Sequence, residues 1–116
     1  MEAADSLASP LGKITIASGV IAHIVGHTAA ECYGVVGMSG GRARRLLTRD
    51  RLGHGITITR GDRGVTIDLR VVVEYGLNLA EVASTIRNRV TYEVERLTGL
   101  RVATVEVHID DVRRSA

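Results

Sequence analysis

Phenylalanine and tryptophan are absent from this chain, and Tyr33, Tyr75 and Tyr92 are its only aromatic residues. A core must therefore be built from aliphatic side chains, and the aromatic platforms on which single-stranded nucleic acids stack are missing. Cysteine is reduced to Cys32, which excludes an intrachain disulfide and a cysteine-based zinc site and fits a reducing cytoplasm. No apolar run approaches the roughly 20 residues of a membrane-spanning helix, so any membrane association would come from a partner or an amphipathic face. The first ten residues carry Glu2 and Asp5 and lack the basic start and apolar stretch of a secretory signal. Net charge is small as well. At +2, with a pI near 9.1, no strong field draws nucleic acid or an anionic surface to the whole molecule. Lys13 is the sole lysine, so local basic charge rests on arginine.

What is present is aliphatic and patterned. With 116 residues, 45% hydrophobic and 24% charged, the chain suits one globular domain able to bury its own core. The spacing predicts a first strand over Lys13 to Ala17, then a helix capped by Ser18 with Ile21, Ile24, Val25, Thr28 and Cys32 on its apolar face. Ala22, Gly26, Ala29 and Ala30 form a small-residue stripe beside that face, suited to close packing by another helix or a subunit. A short strand is expected over Val35 to Ser39, then an arginine-rich segment. Residues 55–60 and 65–75 both alternate and are joined by the turn Gly61-Asp62-Arg63-Gly64, which reads as a hairpin.

Val65, Ile67, Leu69, Val71, Val73 and Tyr75 should share the inner face of the longer strand, with Thr66, Asp68, Arg70 and Glu74 opposite. Asn78 and Glu81 mark the start of a second helix and Gly99 its end. Its inward stripe is expected to be Leu79, Ala83, Ile86, Val90, Val94 and Leu97. A last strand should bury Ala103, Val105, Val107 and Ile109. The order β-α-β-(basic segment)-β-β-α-β gives an α+β, two-layer fold, a small mixed β-sheet with two main helices packed on one face. Residues 12–112 form the domain, 1–11 a flexible N-terminal tail and 113–116 a polar C-terminal tail. Val72 would leave the uncovered face partly apolar, which predicts burial against a second copy.

Several residue patterns could carry chemistry. His23, His27 and Glu31 recur every four residues and could share a divalent metal, but the Glu that follows the first His in zinc peptidases is missing, and an ordinary solvated face is expected. Cys32 lies on the apolar side of its helix, where a thiol is a small hydrophobe. Asp110 and Asp111 are adjacent on a strand, face opposite ways and cannot pair for acid-base work. No serine has a strand-turn-helix nucleophile motif around it, so catalytic, metal and cofactor residues are not assigned and the chain is read as non-enzymatic. Arg42, Arg44, Arg45, Arg49 and Arg51, offset locally by Asp50, form the best candidate for a partner or anion contact, because guanidinium forks bind phosphate and carboxylate. The glycine-x-x-glycine tetrads at 34–37 and 37–40 match the KH-domain clamp in pattern only. Arg60-Gly61-Asp62 is read as turn chemistry.

Three segments together resemble the bacterial alkaline-shock-protein family: Gly12-Lys13-Ile14-Thr15-Ile16-Ala17, Gly34-Val35-Val36-Gly37-Met38, and Gly99-Leu100-Arg101-Val102 continued by residues 105–112. The resemblance spans residues 12–112. It implies a cytoplasmic, non-enzymatic envelope-stress scaffold or adaptor that forms a homo-oligomer. Some members of that family look to be held at the inner face of the membrane by a separate membrane protein and others are encoded near lipid-metabolism enzymes, so the resemblance implies a membrane-anchoring protein or a lipid-metabolism enzyme as the partner. The alternative of another class is a small nucleic-acid-binding domain using the Arg42 to Arg51 segment on phosphates, and salt dependence separates the two.

Overall fold

Alternation through most of its length makes Gly64–Glu74 the organising strand of the described residues: Val65, Ile67, Leu69, Val71 and Val73 are all fully buried. The structure is a computed structural model that describes residues 6–9, 11–38 and 55–114. Its elements are β1 (Ser6–Ser9), β2 (Gly12–Thr15), α1 (Ser18–Glu31), β3 (Val35–Met38), β4 (Ile56–Gly61), β5 (Gly64–Glu74), α2 (Leu79–Thr98) and β6 (Val102–Arg113).

β5 is paired on both edges. β6 runs parallel to it on one side, and β3 and β4 run antiparallel to it on the other. Met38 pairs with Val71 and Ile56 with Leu69, while the Arg70 N–H donates to the Gly55 carbonyl at 2.9 Å. β3 and β4 thus lie end to end along one edge of β5. α2 supplies the crossover that a parallel β5–β6 pair requires.

Both helices lie on one face of this mixed sheet. Ile21, Val25, Ala29 and Cys32 from the α1 segment join Val82, Ile86, Val90 and Val94 of α2 and the five inner residues of β5 in a single core. The α+β, two-layer arrangement expected from the sequence is the one observed. The α2 termini follow the sequence signals: Asn78 Oδ1 accepts from the Glu81 N–H at 3.0 Å, and Gly99 closes the helix at φ 78°.

Several expectations are corrected. Ser6–Ser9, expected as tail, pairs with β2 in an antiparallel hairpin with Leu7 opposite Ile14. Ser18 does not cap α1; its hydroxyl accepts from Arg60 Nη2 at 2.8 Å, and Ala17 occupies the cap position. On α2 the buried row is Val82, Ile86, Val90, Val94 and Thr98, whereas Leu79 and Leu97 are exposed. A row of i, i+4 neighbours forms the ridge that seats between sheet and α1, and Val82 rather than Leu79 reaches the Gly34 backbone.

Tyr75 lies beyond the end of β5, where alternation stops, and its ring sits under the Arg114 guanidinium at 4.8 Å instead of in the core. Ala103 is exposed because β6 carries an extra residue there: Val65 pairs with Val102 and Thr66 with Thr104, so Val102 turns inward in its place. Val72 is only 5% exposed within the single chain, so its apolar side chain no longer argues for a second copy.

Candidate functional site

Two surfaces bring chemistry-bearing side chains together. The first is a groove of about 440 Å³ between α1 and α2, with Ile24 and Leu97 as its apolar lining and His23, His27, Glu31 and Arg89 among its polar residues. The four-residue spacing read from the sequence does set His27 Nε2 3.1 Å from Glu31 Oε2. Arg89 of α2 then approaches Glu31 at 3.9 Å, so the carboxylate faces two basic side chains. Arg96, its pKa raised by the hydrogen bond from its guanidinium to Glu93 at 2.7 Å, adds a further ion pair. This groove suits a mixed polar and apolar contact more than a metal.

Cys32, next in the chain to Glu31, is buried. Its Sγ donates to the Thr28 carbonyl at 3.4 Å, and burial pushes the thiol pKa up, with Arg89 opposing and Glu31 adding to the shift. A thiol held in its neutral form is a poor nucleophile, as expected for a buried structural cysteine.

The second surface is the face of the sheet opposite the helices, and residue-type spacing alone did not reveal it. Parallel pairing places Asp68 of β5 opposite Glu106 of β6 and Arg70 opposite His108. His108 Nε2 lies 3.0 Å from Asp68 Oδ1, and one ligand atom each of Asp68, Glu106 and His108 all fall within 4.8 Å of one another. Arg70 turns to Asp110, with Nη1 at 3.1 and 3.4 Å from its two carboxylate oxygens. An extra residue at Asp110, between the pairs Val71–Ile109 and Val72–Asp111, brings that carboxylate into reach. Glu106-x-His108 on a strand was the available signal, since residues two apart share a face. The third member came from the β5–β6 register.

The proposed arginine contact set, Arg42, Arg44, Arg45, Arg49 and Arg51, lies outside the described residues. Gly34 to Gly37 runs into β3 rather than joining two helices, so that tetrad does not form a KH-type clamp. Arg60 of the Arg60-Gly61-Asp62 tripeptide donates to the Ile16 carbonyl and Ser18 hydroxyl, which ties the start of α1 to β4. Among the described residues, no helix is long and apolar enough to cross a membrane.

Residues 6–114 match the model of the alkaline shock protein 23 family, described as having a cell envelope-related function. The chain belongs to that family. It is 30% identical over 112 residues to the Bacillus subtilis (strain 168) protein YloU, covering 92% of this chain and 93% of that one. Identity to YqhY of the same organism is 32% over 102 residues, covering 85% and 76%. A stress response regulator gls24 homolog of Streptococcus pyogenes serotype M3 is 29% identical over 106 residues, 88% of this chain but 59% of its own length. Two variant forms of MamM-CTD share the fold, with TM-scores of 0.52 and 0.51 at 13% identity over 82% and 80% of this chain and 98% and 93% of theirs. The matched residues begin at the strand Ser6–Ser9 and run to the end of β6.

Proposed function

We propose that this chain is a non-enzymatic, self-associating adaptor of the cell-envelope stress response, working by protein–protein binding in the cytoplasm and held at the inner face of the membrane by a partner. The family's envelope-related description and its stress-regulator relative support the setting. The observation that carries the binding role is the β1–β2 hairpin. Among the described residues it pairs with no strand of the main sheet, every β2 residue is exposed, and Leu11 and Ile14 are 99% and 62% accessible. A lone two-stranded hairpin is at best marginally stable in water, so this one calls for cover.

β6 offers a complementary need. Among the described residues it pairs only with β5, so the other edge of a 12-residue strand is open. Strand addition satisfies free backbone groups of that kind, and reciprocal exchange of hairpins between two copies closes without further growth.

The test is the solution mass of the full chain by light scattering at micromolar concentration, beside a chain carrying Leu11→Asp and Ile14→Asp. The expected outcome is a dimer or larger assembly for the native chain and a monomer for the variant. A native chain that is monomeric throughout refutes self-association. Co-eluting nucleic acid that dissociates as salt rises would transfer the reading to phosphate binding.

A further inference from the structure

We infer that Asp68, Glu106 and His108 form a binding site for a divalent transition-metal ion, zinc or manganese, on the open face of the sheet. Neither the family description nor the relatives' names point to one, and the sequence pattern directed attention to His23 and His27 instead.

The three ligands are rigidly held. All three residues stand within the two longest strands, whose mutual register is fixed by backbone pairing from Val65 to Glu74. Ligands on regular strands keep their separations better than ligands on loops. Glu106 and His108 are two apart on one face of β6, and Asp68 is the cross-strand partner of Glu106. Imidazole and carboxylate ligands bind zinc at roughly 2.0–2.2 Å, so two ligands on one ion stand no more than about 4.4 Å apart. The 3.0 Å between His108 Nε2 and Asp68 Oδ1 lies inside that span, and the 4.8 Å outer limit of the trio needs only a small side-chain rotation to close.

Charge points the same way. Asp68, half-buried, and Glu106, exposed, bring two carboxylates within 4.8 Å, and like charges so placed repel. Arg70 stands at the next outward position of β5, but its guanidinium is directed to Asp110 by two contacts. The local cation is thereby engaged elsewhere, and a divalent ion would satisfy the two carboxylates together. The donor set is one imidazole nitrogen and two carboxylate groups. It lacks the thiolates preferred by soft ions and, having a nitrogen, departs from the all-oxygen cages of calcium and magnesium. Three protein ligands leave a coordination position for water or for a group from another molecule.

The inference is tested on the full chain stripped of metal with chelator and titrated calorimetrically with zinc and, separately, manganese. Glu106→Gln and His108→Ala are compared with His27→Ala, which removes the imidazole of the helix groove. One equivalent should bind, and each sheet-face variant should weaken it by at least the roughly tenfold that loss of even an outer-shell partner costs a metal site. His27→Ala should bind like the native chain.

Binding unchanged in both sheet-face variants, loss of binding in His27→Ala, or saturation only at millimolar metal each overturn the assignment. A second reading is independent of variant folding: zinc added to the native chain should shift the ring nitrogens of His108 in NMR spectra and leave those of His23 and His27 in place. A spectrum in which His108 does not move refutes the site.

Discussion

Replacing Gly64 with alanine puts the β5–β6 register under direct load. Gly64 has φ 128°, a backbone conformation L-residues rarely adopt, and an added Cβ would lie 2.4 Å from the Arg101 carbonyl oxygen and 3.2 Å from the Ala103 nitrogen. Both neighbours are backbone, so no side chain can swing aside. Relief requires the start of β6 to retreat by about an ångström if Cβ and oxygen are to reach ordinary contact, near 3.5 Å. Such a retreat breaks the bond from the Val65 N–H to the Arg101 carbonyl, now 2.8 Å.

Forcing a non-glycine residue into such a conformation costs about 1–3 kcal/mol, and the lost hydrogen bond about 0.5–1.5 more, for a total of roughly 2–4 kcal/mol. Against a typical stability of about 5–15 kcal/mol that is a large fraction. Gly76→Ala supplies the control, because Gly76 has φ 101° but nothing within 4 Å of its added Cβ. It bears the conformational cost without the clash. Urea unfolding followed by circular dichroism should place Gly64→Ala at least about 0.5 kcal/mol below Gly76→Ala with the same denaturant slope. Equal losses in the two variants would refute the close-approach argument.

Two further outcomes follow from the packing. Ile86→Ala empties a fully buried position on α2 and should cost about 2–5 kcal/mol in the same assay, whereas Leu97→Ala, at a side chain 54% exposed, should stay within about 0.5 kcal/mol. Comparable losses at the two sites would mean the helix is rotated from its described orientation. Cys32 should resist thiol reagents in the folded chain. Because burial raises its pKa in the folded state, the unfolded thiol ionises first, and stability should fall as pH rises past its ordinary value of 9.0. Cys32→Ala should remove that part of the alkaline slope, and an unchanged slope would show that other groups produce it.

The parts of the fold legible in the sequence are those set by local periodicity and capping. Residues 65–71 alternate and are buried as alternation requires, Val72 being the one outward position that is apolar and buried as well, and Asn78 and Gly99 bound α2 as their chemistry dictates. What escaped depended on neighbours distant in the chain. The extra residues at Ala103 and Asp110 shift which side chains of β6 face inward, and they become visible only against the β5 register. Ser18 has the side chain of a helix cap, but its hydroxyl meets a guanidinium 42 residues away. That Asp68 joins Glu106 and His108 was illegible for the same reason, since nothing local announces that β5 and β6 are parallel neighbours.

The end-to-end placement of β3 and β4 makes them, in effect, one interrupted strand. Met38 stands at the level of Val71, Gly55 at Arg70 and Ile56 at Leu69, so Met38 and Gly55 occupy successive rungs about 3.3 Å apart along the edge. A single peptide link spans about 3.8 Å between Cα atoms. Residues 39–54, with all five arginines of the basic segment, therefore connect adjacent rungs, and a direct Met38–Gly55 link would need Gly55, now at φ 75°, to turn into the extended conformation. In evolutionary terms that edge is a splice point, where a stretch of chain can be exchanged or lengthened while the sheet keeps its register.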